Sequence, residues 1–255
     1  IGLQLQRGHI QIAYYTWMMI GLYILINIIY SFYVDKKALF HVFKKYLLIF
    51  SSLVTGILLS FNLYYPVLNY SQYSNRGMNE GGIGIEKATQ WSFSLKESLT
   101  FYFPSSLGFG GEIYREIGNM PFTDYPNYLG IILMIFAFFG LTKVKIKNVH
   151  KIFFILVLLF SFLLSLGKNF IGFYNTFYNY LPFFNKFRAP VYILIIFNFS
   201  LYVFSAYGIE YIVKSIKKNY KLNLFYYVSS FVVSLITIIY FCSKGFIPND
   251  YIYSS

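Results

Sequence analysis

The sequence predicts an all-α integral membrane protein, a polytopic helical bundle with about six transmembrane helices and one long extracytoplasmic loop. Three observations carry this. Hydrophobic residues make up 57% of the 255 and charged residues only 12%, too few polar side chains to coat a soluble globule of that length. Six apolar runs approach the roughly 20 residues that a bilayer crossing needs. Lysines gather in alternate loops, as they do on the cytoplasmic side of membrane proteins. The runs are continuous, which excludes the alternating pattern of a membrane β-barrel, and a backbone in lipid must otherwise be helical to satisfy its hydrogen bonds.

The first span is expected at Ile10–Phe32 and the second at Tyr46–Leu63, with Lys36, Lys37, Lys44 and Lys45 between them. The third, Tyr128–Leu141, and the fourth, Ile152–Leu166, are short, so flanking Tyr and Lys side chains complete the crossing by snorkelling. Lys143, Lys145, Lys147 and Lys151 separate that pair. The fifth span is expected at Val191–Val213 and the sixth at Leu224–Phe241, with Lys214, Lys217, Lys218 and Lys221 between. These three lysine loops are expected in the cytoplasm. Glu80, Glu86, Glu97, Glu112, Glu116 and Asp124 occupy the segment 65–127, which is expected outside, together with His9, the loop 168–190 and the C-terminal tail. Topology thus accounts for the net charge of +12 better than nucleic acid does, for which no motif is present. The lone Cys242 excludes a disulfide within the chain and a cysteine metal site. The start at Ile1, without Met or a signal pattern, reads as the interior of a longer protein.

Polar chemistry gathers at the outer face. No Asp, Glu, Lys, Arg or His lies deep in an expected span except Glu210 near the inner end of the fifth, which argues against a proton-coupled transporter. Asn27, Asn62 and Asn198 are isolated and read as bonding neighbouring helices. In the long loop, Ser94-Leu95-Lys96-Glu97 fits a capping box, with a short helix running toward Phe103 and stopped by Pro104. Its apolar face of Leu95, Leu99 and Tyr102 suits the membrane surface. Gly81–Gly84 matches neither a dinucleotide fingerprint nor a phosphate loop and reads as a flexible turn.

Before the fifth span, "LPFFNKFRAP" (Leu181–Pro190) sets Lys186 and Arg188 among aromatics. Pro190 falls where a proline is best tolerated, at the first helical position. Free amides at that helix start, together with Arg188, would make a phosphate site. The other reading is that Arg188 snorkels to lipid headgroups within an aromatic belt. Before the third span, Pro121 and Pro126 stiffen the chain while Tyr125 and Tyr128 anchor it, so that Asp124 and Asn127 sit at headgroup level. Asp124 can orient an acceptor hydroxyl or bind a divalent cation, or it can simply bond local backbone in a turn.

Four stretches, "GHIQIAYY" (Gly8–Tyr15), "WSFSLKESLTFYFPSSLGFGG" (Trp91–Gly111), "NMPFTDYPNYLGI" (Asn119–Ile131) and "LPFFNKFRAP", resemble in this order the YfhO family of bacterial membrane proteins. That family is regarded as similar to GT-C glycosyltransferases. The resemblance implies a GT-C-like fold in the bacterial plasma (inner) membrane, and transfer of a sugar from a polyprenyl-phosphate-linked donor to an extracytoplasmic cell-envelope acceptor. It implies a principal catalytic carboxylate upstream of Ile1, with His9 and Asp124 as weaker candidates here. Arg188 and Lys186 would bind the donor phosphate, and Tyr125 and Asn127 the acceptor or headgroup. Its partners would be the polyprenyl-phosphate sugar and membrane lipid. Two alternatives from other classes stay open: a carrier or flippase for a lipid-linked substrate, and a structural membrane subunit.

Overall fold

The computed structural model describes residues 2–6, 8–34, 39–71, 73, 83–104, 106–107, 127–144, 148–217, 227–228, 231–232 and 234–235. Among them every regular element is helical. The chain divides into two units, Ile1–Ser92 with Ile146–Phe197, and Phe93–Lys145 with Asn198–Ser255.

In the first unit a short helix α1 (Gly2–Gln6) precedes α2 (Ile10–Val34). Gly8 joins them at φ +77°, a left-handed conformation that glycine alone adopts without cost. The 25 residues of α2 rise about 1.5 Å each and reach about 37 Å, enough for a hydrocarbon core of about 30 Å. Only 11% of its most apolar stretch is covered by the rest of the protein, and Leu25, Ile28, Ile29 and Phe32 stand exposed. Such a face is stable in lipid or against another helix rather than in water.

Helix α3 (Leu39–Leu59) starts well before the expected span, so Lys44 and Lys45 lie within a helix and not in a loop. At Ser60 the chain bends by 62° into α4 (Phe61–Ser71). The amide of Ser60 donates to the Ile57 carbonyl at 3.0 Å, while its hydroxyl takes the Gly56 carbonyl at 3.0 Å that an unbroken helix would have given to the amide. A serine that bonds back in this way loosens the helix ladder and bends it.

A four-residue helix, α5 (Ile85–Ala88), follows in the first unit, and α6 (Ile131–Lys143) lies in the second. The first unit resumes with α7 (Asn148–Ser165), which turns by 108° through a 3₁₀ turn, Gly167–Phe170, into α8 (Ile171–Tyr180). Phe160 of α7 meets Phe173 and Phe177 of α8, with ring centres 6.2 and 5.2 Å apart. The expected loop 168–190 is therefore mostly helix, folded back on the fourth span by its aromatics. Tyr15, Val157, Leu164, Tyr174, Phe184 and Ile193 form the core of this unit.

The fifth span begins as a 3₁₀ turn, Pro190–Ile193, with proline at its first position, and continues as α9 (Leu194–Lys217). Its residues up to Phe197 fall in the first unit and the rest in the second. There α6 packs on α9 through two glycines. A Cβ on Gly140 would lie 1.9 Å from the Phe204 carbonyl oxygen, and one on Gly208 would lie 1.8 Å from that of Phe136. Ser205 adds a bond from its hydroxyl to the Leu133 carbonyl at 2.7 Å. Helix α6 has 13 residues and reaches about 20 Å, short of a bilayer core of about 30 Å unless its flanks complete the crossing.

Among the described residues two helices are long and apolar enough to cross a membrane, or up to four if each bent pair is one span, where the sequence predicts six. The difference comes from the bends at Ser60 and Gly167, from the shortness of α6, and from the sixth span, most of which lies outside the described residues. Asn27, expected to bond a neighbouring helix, instead donates to the Tyr23 carbonyl of its own helix at 2.8 Å.

Candidate functional site

At one end of the first unit three segments far apart in sequence meet around Trp91 and Ser92. Ser92 is fully buried; its hydroxyl donates to the Thr89 carbonyl at 2.6 Å and accepts the Lys168 amide at 2.9 Å. The Val191 amide donates to the Trp91 carbonyl at 3.2 Å. Gly167, at φ +46°, fills the remaining space, since a Cβ there would lie 2.1 Å from the Ser92 hydroxyl and 2.9 Å from Pro190. The turn after α7 and the start of the fifth span are thus pinned to the same two residues.

Arg188 stands on this frame, exposed, with its guanidinium carbon 5.3 Å from the centre of the Trp91 ring. A cation over an aromatic face is attracted by about 0.5–1 kcal/mol where exposed, which biases the side chain toward one place without neutralising it. The backbone beside it is held against preference. Ala189 has φ +60° and Phe183 φ +63°, a conformation that costs a non-glycine residue about 1–2 kcal/mol and persists only where surroundings enforce it. The enforcing group for Ala189 is Gln11 of α2, buried, whose amide donates to the Ala189 carbonyl at 3.2 Å and to the Tyr15 hydroxyl at 2.9 Å. Tyr14 donates to the Pro182 carbonyl at 2.9 Å. The start of α2 therefore clamps the Leu181–Pro190 loop at two points.

The structure brings His9 to the same end. Its ring meets Tyr192 edge to face, with centres 5.1 Å apart, so two of the predicted residues, His9 and Arg188, flank one clamp. Lys186 closes a 3₁₀ turn, Phe184–Lys186, just before Arg188; the Ile83 amide donates to the Asn185 carbonyl there at 3.0 Å. Asn127 belongs to the second unit, half-buried in the non-helical lead into α6, which the Leu129 amide ties to the Phe101 carbonyl at 3.2 Å. Asp124 and Tyr125 lie outside the described residues.

One expectation is corrected. The first amides of the fifth span are not open to an anion: Pro190 has none, Val191 donates to Trp91 and Tyr192 donates to the Ala189 carbonyl at 3.2 Å. Positive charge at this end comes from side chains. Among the described residues neither Arg188 nor Lys168 has a carboxylate partner, and the described acid of this unit is Glu86 alone. The places of Lys168, Trp91, Ser92 and Gln11 in this site are not readable from the sequence, because they lie in contacts such as Gln11 to Ala189, 178 positions apart.

Elsewhere in this unit an open cavity of about 360 Å³ is lined by Gly2, Ser51, Ser52, Thr55, Gly56 and Leu59. Its hydroxyl protons are committed to carbonyls of their own helix, Ser51 and Ser52 to Leu48 and Thr55 to Ser51, so they offer a ligand acceptor oxygens but no donor. Among the described residues no three His, Cys, Asp or Glu side chains gather to hold a metal ion. Comparison with family models, with curated proteins and with solved structures gives no match.

Proposed function

We propose that the chain is part of a multi-pass membrane protein of the bacterial inner membrane that binds the phosphate of a polyprenyl-phosphate-linked sugar at Arg188 and transfers the sugar to an extracytoplasmic acceptor. The observation that carries the reading is an arginine without a carboxylate partner among the described residues, stacked on Trp91, in a loop held in strained backbone by Gln11. Arginine grips phosphate oxygens through two parallel hydrogen bonds. In the reaction an acceptor hydroxyl attacks the anomeric carbon and gives its proton to the carboxylate that the resemblance implies upstream of Ile1, while the bond from that carbon to the phosphate oxygen breaks and its electron pair leaves with the phosphate. Charge develops on that oxygen, where a preorganised cation lowers the barrier. Lys186 adds positive charge to the same loop, and the resemblance to the YfhO family supplies the sugar-transfer step and the outer side of the membrane.

The test is transfer of a labelled sugar from a polyprenyl phosphate to endogenous acceptors in vesicles holding the full-length protein. Arg188→Ala is expected to lower the rate by about 100-fold, the scale for removing one transition-state donor, with Arg188→Lys intermediate. Unchanged transfer in Arg188→Ala would sink the role. Saturable binding of the donor by wild type with no transfer would favour a carrier instead.

A further inference from the structure

The geometry points to Lys168 as a second anion ligand beside Arg188, and to a headgroup that carries two phosphates rather than one. This rests on the anion-binding reading of Arg188 and deepens it. The Lys168 backbone is fixed beside Trp91 and Ser92 rather than carried on a free loop. It lies in the 3₁₀ turn Gly167–Phe170, directly past the 108° bend after α7, and its amide is fixed to Ser92, the residue next to the tryptophan on which Arg188 stacks. Gly167 before it abuts Pro190, close in sequence to Arg188. Glycine at φ +46° with no space for a Cβ is what lets the two cation-bearing segments approach so closely.

Charge decides what such a pair accepts. A phosphate esterified at both ends carries one negative charge, whereas a diphosphate esterified at both ends carries two. Two cations without carboxylate partners among the described residues, on one frame and with the helix amides already committed, match the second better. Either cation alone would be as well served by ordinary phosphate. Bidentate Arg188 suits one phosphate group, and the flexible point charge of Lys168 suits the other.

The experiment uses full-length protein in nanodiscs and measures binding of two probes esterified at both ends that differ by one phosphate, the monophosphate diester farnesyl methyl phosphate and the diphosphate diester farnesyl methyl diphosphate. Wild type is expected to prefer the diphosphate about tenfold or more, the equivalent of roughly 1.4 kcal/mol. Lys168→Met should erase that preference while leaving the monophosphate affinity within about twofold, Lys168→Arg should keep it, and Arg188→Met should weaken both probes. Equal binding of the two probes by wild type, or a preference that survives Lys168→Met, overturns the two-phosphate proposal while Arg188 stands. Unchanged affinity for both probes in Arg188→Met overturns the anion site itself. Inorganic pyrophosphate as competitor separates the sources: displacement of the prenyl probe at equal concentration assigns the site to the free anion, and failure to displace assigns it to a lipid headgroup.

Discussion

At Ser94 and Glu97 four consecutive residues decide a local structure by themselves. The Ser94 amide donates to the Glu97 carboxylate at 2.7 Å and the Glu97 amide to the Ser94 hydroxyl at 3.2 Å, the reciprocal pattern that the spacing predicts. The box opens the expected short helix toward Phe103, which is a 3₁₀ helix of six residues, Lys96–Phe101. Both capping side chains are buried, so a backbone amide that loses its partner there finds no water in its place. Ser94→Ala is expected to destabilise the protein by about 1 kcal/mol, and Ser94→Ala with Glu97→Ala by less than the sum of the single changes, because the two bonds form one unit. Reversible unfolding in detergent measures this; full additivity would show the box to be incidental. Pro190 at a helix start was legible for the same reason, as a preference of one residue for one place. Arg188 was legible as a cation just before an apolar run, but the ring beneath it was not, because nothing in "QWS" (Gln90–Ser92) announces its partner.

Among the elements, α2 and α9 follow the apolar runs within a few residues, since about twenty apolar side chains leave the backbone no other choice in lipid. The bends were not legible. Ser60 and Gly167 each lie near the end of an apolar run, and a run's end looks alike whether the chain exits the membrane or turns within it. The glycines at the α6–α9 crossing were equally silent, because Gly140 and Gly208 belong to different spans and make no motif within either. Their effect is calculable once they face each other. Alanine favours a helix over glycine by about 1 kcal/mol, yet a Cβ within 1.9 Å of a backbone oxygen forces the helices apart, and overpacking costs about 1–3 kcal/mol. Gly140→Ala and Gly208→Ala are each expected to lower stability. Gly21→Ala on α2, where a Cβ meets nothing within 4 Å, is expected to raise it by about 0.5–1 kcal/mol. Thermal unfolding in one detergent compares the three, and a Gly208→Ala protein as stable as Gly21→Ala would mean that the two helices do not meet closely at these glycines.

For the whole molecule, the lysine pattern and the helix lengths bear differently on how many times the chain crosses the bilayer. Lysines put Lys143 inside and Asp124 outside, which requires α6 to cross although its 13 residues span about 20 Å of a core of about 30 Å. Snorkelling of Lys143 at one end and the non-helical residues 127–130 at the other supply the remainder of such a crossing. The 108° pair α7 and α8 raises the same question for Lys151 and Tyr180: a crossing puts them on opposite sides, a re-entrant pair on one. Single cysteines at Asp124, Lys143, Lys151 and Tyr180, in a Cys242→Ser background, answer it with an impermeant maleimide on intact cells. The expected result is labelling at Asp124 and Tyr180 before permeabilisation and at Lys143 and Lys151 only after it. Labelling of the Asp124 and Lys143 positions together would make α6 a re-entrant segment. Labelling of the Lys151 and Tyr180 positions together would make the bent pair one. If Lys143 and Lys151 label first and Asp124 and Tyr180 only after permeabilisation, the lysine rule fails for this chain. The Arg188 end, a short way past Tyr180, then moves with it to the cytoplasmic face, where a donor presented at the outer leaflet could not reach.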